Sequence, residues 1–180
     1  MRSITFLAVL ASAACASGAS TVGSTRPVST SIAVGAGGSG DRLTVAASNG
    51  PNINTLAVAP AALWKVLPGV FDSVSVPVAR MDVATKTIGN EGFKIRQRLG
   101  KTPLSRYFDC GQTQIGPNAD SYEMYVTVLL QVVPDGTGSK LMTHVEASAR
   151  PLTFSQGYSR CSSKGSLEAK LLEAVKAQLK

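Results

Sequence analysis

The chain has 180 residues, with 18 Lys+Arg against 11 Asp+Glu, a formal net charge of +7 and a sequence pI near 9.6. At 44% apolar and 16% charged residues it is too apolar for a disordered polymer, and its apolar runs are too interrupted for a polytopic membrane protein. Three cysteines and one histidine, His144, lie too far apart in sequence for a structural zinc site, which wants four Cys/His ligands at short spacings, and three cysteines cannot hold a four-cysteine iron–sulfur cluster, so no metal and no cofactor is expected.

The N-terminus reads as an address. One cation in Met1-Arg2-Ser3 precedes the apolar run Ile4 to Ala11, then Ser12-Ala13-Ala14 and Cys15. A charged tip, a short apolar stretch and small residues together describe a secretory signal over residues 1–14. The run is less than half of the roughly 20 residues that span a bilayer. The Ala-Ala-Cys ending resembles the lipobox of bacterial lipoproteins, although Ser12 stands where that family usually carries Leu, Val or Ile. The resemblance implies cleavage before Cys15 and lipid attachment to its sulfur. Each buried methylene of such a lipid is worth about 0.8 kcal/mol, so several chains anchor stably. The expected location is therefore the cell envelope, lipid-anchored and facing the periplasm or the exterior. The alternative is an ordinary signal cut after Ala14-Cys15-Ala16, releasing a soluble periplasmic or secreted protein.

From Ala16 to about Ser31 the chain is almost entirely Ser, Thr, Gly and Ala, and Gly35 to Gly40 is again glycine-rich. Neither stretch can build a core. Residues 15–40 thus read as the lipidated cysteine and a flexible tether, and residues 41–180 as one domain, long enough to bury about two-thirds of its surface.

Within that domain, Asp41 to Ser48 predicts a strand ending at the turn signal Asn49-Gly50-Pro51, and Ile53 to Val58 a second extended run. Pro60 opens a helix carrying Leu63, Trp64, Leu67, Val70 and Phe71, which Pro68-Gly69 should kink or end; Trp64 reads as a core anchor. Val78 to Ile88 nearly alternates, and Gly89-Asn90-Glu91-Gly92 is expected to turn the chain. Phe93 to Leu99 alternates cleanly, with Lys94, Arg96 and Arg98 sharing one face. A strand over Arg106 to Cys110 and a loop over Gly111 to Ser121 follow. Tyr122 to Val133 and Leu141 to Arg150 flank Pro134-Asp135-Gly136-Thr137-Gly138 as a hairpin, with Tyr122, Met124, Val126, Val128, Leu130 and Val132 on its inner face. The chain closes with an amphipathic helix capped by Ser166 and striped by Leu167, Leu171, Leu172, Val175 and Leu179.

These elements define an α+β domain: an antiparallel sheet packed against a short N-terminal helix and a longer C-terminal amphipathic helix. Their order over residues 55–180 is similar to helix-grip domains, including the lipoprotein subunit of the bacterial barrel-assembly machinery. That similarity implies the fold alone, because no motif carries residues across. With Cys15 lipidated, Cys110 and Cys161 remain as a pair, and an oxidising compartment favours a disulfide between them.

The chemistry-bearing features are few. Lys94, Arg96, Arg98, Lys101 and Arg106 form a basic segment with no acid between them, suited to an anionic lipid or polymer surface. The competing expectation is that Glu123 and Glu146 neutralise these cations across neighbouring strands. Nucleic acid is not an expected partner, since aromatic residues do not interleave with the cations. No nucleophile elbow, phosphate loop or paired-histidine motif is present, which favours a non-enzymatic envelope lipoprotein: a tethered binding or scaffold domain for a partner protein or an anionic envelope component. The alternatives are a carrier of a small apolar ligand enclosed between sheet and C-terminal helix, and a hydrolase using His144 beside Glu146.

Overall fold

The computed structural model describes residues 50–153 and 155–180. The signal, Cys15, the tether and the strand expected over Asp41 to Ser48 lie outside the described residues. The domain is α+β, as the patterning predicts. Its centre is the hairpin of β9 (Glu123–Asp135) and β10 (Gly138–Arg150), paired from Asp135↔Gly138 to Glu123↔Arg150. Val126, Val128, Leu130, Leu141 and Ala147 point to one face and are buried, as strict alternation requires. Gly136, with φ 60°, supplies the left-handed residue of the tight turn.

β3 (Thr87–Arg96) lies antiparallel on the outer side of β9, and β2 (Arg80–Asp82) pairs with β3. The other side of β10 is shared along its length. β1 (Asn52–Leu56) takes Ser139 to Thr143, and β11 (Ser159–Ser163) takes Ala147 to Ala149. β6 (Phe108–Asp109) closes that edge beyond β11.

Gly89 to Gly92 does not turn the chain. The turn lies at residues 83–86, where Asp82 Oδ1 accepts the N–H groups of Ala84 and Thr85 at 2.9 and 3.1 Å, which also holds the Asp82 carboxyl below its usual range. Residues 89–92 instead form a bulge inside β3, with one extra residue between the Asn90↔Val128 and Phe93↔Val126 pairs. Gly89 has φ 148°, and a Cβ there would strike the Val128 carbonyl. The buried Asn90 side chain fixes the bulge, donating to the Pro77 carbonyl and accepting from Gly92 N–H, each at 3.0 Å.

Two helices cover the inner face. α1 (Pro60–Val74) continues past Pro68 rather than ending there. One missing backbone bond is outweighed by burial of Val70, Phe71 and Val74 beyond it, since each such side chain contributes about 1.5–3 kcal/mol. The Trp64 ring is half-buried against the core edge with Lys86 Nζ 5.3 Å from its centroid, so it borders the core rather than anchoring its centre. α3 (Ser166–Gln178) buries Leu167, Leu171 and Val175 against β10 and α1. At 13 residues it is shorter than the 15 of α1, reversing the expected lengths. Gly165 (φ 75°) rather than Ser166 precedes its first turn, and the Ser166 hydroxyl donates to the Arg106 carbonyl at 2.6 Å.

β3 ends at Arg96 because Gln97 adopts φ 64°. The chain then makes the short pair β4 (Arg98–Leu99) and β5 (Thr102–Pro103), followed by a 3₁₀ turn at Leu104–Arg106. The strand expected from Arg106 is therefore reduced to β6. The loop expected at Gly111 to Ser121 holds a miniature hairpin, β7 (Gln112–Thr113) with β8 (Gly116–Pro117), and one helical turn, α2 (Asn118–Ser121). Cys110 and Cys161 are bonded, with Cα atoms 4.4 Å apart across 51 residues. The bridge fastens the segment after β6 to the middle of β11.

Candidate functional site

Both helices pack on one face of the sheet, so the other face of β3, β9 and β10 carries its side chains to solvent. Register orders them into rows. Arg96, Glu123 and Arg150 form one cross-strand row, and Lys94, Tyr125, Ser148 and Arg160 the next on the same face. Directly opposed residues share a face, which is why cations distant in sequence converge here.

Glu123 is the hub. Its Oε1 accepts Arg150 Nε at 2.9 Å and the Tyr158 hydroxyl at 2.6 Å, with Arg150 Nη2 at 2.7 Å and Lys94 Nζ at 4.0 Å. The Tyr158 hydrogen bond, reinforced by Arg150 and Lys94, holds the Glu123 carboxyl below its usual range against the partial burial that opposes it. The same bond pushes the Tyr158 hydroxyl above the ordinary tyrosine value. The Arg150 guanidinium lies 4.9 Å from the Tyr158 ring centroid, and the Tyr158 and Tyr125 rings sit 5.9 Å apart at 57°.

Charge does not balance around this hub. Glu123 has 17% of its side chain exposed, whereas Lys94 keeps 62%. Arg96, opposite Glu123 in register, makes no ion pair among the described residues. Glu146, expected to quench the basic strand, is instead paired with Arg160 at 2.8 Å and lies 3.8 Å from His144. One carboxylate therefore faces Lys94, Arg96 and Arg150, leaving a basic excess beside two exposed tyrosines.

The five cations expected to act together are divided. Lys94 and Arg96 stay on the sheet face. Arg98 and Lys101 belong to the β4–β5 pair, where Arg98 Nη1 donates to the Lys101 carbonyl at 3.3 Å. Arg106 sits on the 3₁₀ turn near the start of α3, where Lys164 Nζ donates to the Ser105 carbonyl and Ser166 to that of Arg106. The left-handed Gln97 causes the division, and it is invisible to a pattern of alternation. Conversely, Arg150 and Tyr158 join the site only through strand register and the turn into β11.

His144 borders a dimple of about 20 Å³ that it shares with Glu146, Arg160, Cys161 and Ser163. That is room for a single water. Of the neighbouring candidate nucleophiles, the Cys161 sulfur is held in the disulfide, and the Ser163 hydroxyl donates to Glu168 at 2.7 Å. Among the described residues no cluster of three or more His, Cys, Asp or Glu could hold a metal ion, and no helix is long and apolar enough to cross a membrane. Between sheet and helices, Leu63, Leu67, Phe71, Leu130, Leu141, Leu167 and Leu171 are fully buried in one cluster. Compared with known proteins, the chain matches no family model and no curated sequence.

Proposed function

We propose that this protein is a lipid-anchored envelope protein whose folded domain binds an anionic envelope component through the helix-free face of its sheet, and that its role is binding rather than catalysis. The observation that carries this reading is the basic excess of Lys94, Arg96 and Arg150 around the single carboxylate of Glu123. A surface ion pair contributes little to stability, so a cluster with surplus cations serves stability poorly and anion attraction well. Tyr158 orients Arg150 by contacting both its guanidinium and its carboxylate partner, so this part of the surface is organised before any ligand arrives. The signal-like N-terminus, Cys15 and the Ser/Gly tether support an envelope setting. Retention of the Lys94→Glu/Arg96→Glu variant on immobilised dextran sulfate, against the unaltered chain, tests the binding surface. Elution at markedly lower salt supports it; an identical salt profile overturns it.

A further inference from the structure

The same end of the sheet carries an apolar feature that charge does not explain. The β7–β8 hairpin holds Ile115 at its tip with 89% exposure, the highest of any large apolar side chain among the described residues. Facing it is Leu152, 47% exposed, in the loop leaving β10. Together with Tyr122 and Pro151 they line an open, largely apolar cleft of about 460 Å³. A second, more polar cleft of about 310 Å³ shares Pro151, Leu152 and Thr153 with it and is walled by Arg150. Chain connectivity fixes the arrangement: Arg150 directly precedes Pro151, Tyr122 directly precedes Glu123, and Arg96 lies opposite Glu123. The two apolar tips therefore project from the end of the sheet at which Lys94, Arg96 and Arg150 gather.

We infer that this end docks onto an anionic lipid bilayer, with Ile115 and Leu152 entering the acyl boundary and Lys94, Arg96 and Arg150 seated at the headgroups. Exposed apolar side chains on separate loops, rimmed by cations, combine the two attractions that hold a protein at a membrane interface. Charge complementarity selects the partner, because a purely apolar protein surface would leave these cations without counter-charges. The inference rests on the anion-binding reading above and narrows it to a lipid surface. It also gives the tether a consequence: an anchored domain would lie against its own membrane rather than extend away from it.

The test places a reporter in the full chain. Ile115→Trp, and separately Leu152→Trp, are mixed with phosphatidylglycerol-containing vesicles whose acyl chains are brominated, with the unaltered chain giving the Trp64 background. Docking predicts that the added emission falls by about half, since an inserted side chain sits roughly 5–10 Å into the boundary. In a Cys15→Ser background, which takes no lipid, Ile115→Ser/Leu152→Ser should weaken vesicle association about tenfold while leaving retention on dextran sulfate unchanged. Absence of quenching at both reporters overturns the inference and leaves the anion-binding reading intact if dextran sulfate retention still depends on Lys94 and Arg96. Quenching that persists undiminished in Lys94→Glu/Arg96→Glu overturns the headgroup seat of those cations and the charge complementarity that selects an anionic bilayer. A change from dimer to monomer in Ile115→Ser without vesicles would assign the cleft to a second copy of the chain and overturn the bilayer.

Discussion

Removing the disulfide should cost this domain a large share of its stability. Cys110 and Cys161 close a loop spanning 51 residues that contains both long strands, β9 and β10. Loop-closure entropy for that span gives about 4 kcal/mol at room temperature. For a domain of this size, with a urea slope of about 2 kcal/mol per molar, the unfolding midpoint should fall by about 2 M in Cys110→Ala/Cys161→Ala. In heat the same loss should lower Tm by roughly 15 °C. Cys161 is buried, so its truncation adds a small packing loss in the same direction. The assay is urea unfolding followed by circular dichroism, with the unaltered protein measured oxidised and after reduction. A loss below about 1 kcal/mol in both comparisons would refute the closure argument. It would mean that the hairpin already holds the segment around β6 against β11 without the bridge.

The bulge makes a paired prediction. Gly89→Ala drives a Cβ into the Val128 backbone at a φ that L-residues avoid, so it should destabilise by about 3 kcal/mol in the same urea assay. Gly92→Ala meets the Tyr125 ring instead, which can rotate; it should cost less stability but weaken the dextran sulfate interaction by moving Tyr125. Ionisation of Tyr158 is raised by its bond to Glu123, so ultraviolet titration should show a phenolate appearing above the ordinary tyrosine range, and Tyr158→Phe should abolish that late component. The stability tied to this hydroxyl is present at neutral pH and lost as pH rises through its folded pKa. Glu123 has the opposite sign: its depressed pKa means that its contribution is present above the usual value of 4.5 and lost as pH falls through the folded value. Glu123→Gln should therefore flatten the acid limb of the stability curve, and an unchanged acid limb would contradict the hub.

Much of this architecture was legible because it depends on periodicity. Strict alternation from Tyr122 to Val132 and from Leu141 to Ala149 placed the central hairpin and its buried face, and the Leu167–Leu171–Val175 spacing placed α3. Cysteine parity pointed to the Cys110–Cys161 pair. What escaped is set by tertiary contact or by backbone angles without a compositional mark. The turn at residues 83–86 contains neither Gly nor Pro, and it depends on Asp82 accepting backbone N–H groups. The glycines at 89 and 92 looked like that turn, yet they serve close strand approach and the Tyr125 ring. Pro68 looked like a stop, yet the buried residues beyond it carry the helix on. The basic segment was visible as composition, but its division at Gln97 and its completion by Arg150 and Tyr158 depend on φ and register.

The proposed envelope setting rests on where the mature chain begins and what its first residue carries. Intact mass of the protein purified from the membrane fraction measures this directly. A lipid-anchored chain should start at Cys15, heavier than its sequence by a diacylglycerol group and lighter by the two hydrogens of the Cys110–Cys161 bond. A mass that retains Met1, or one with Cys15 unmodified, would contradict it.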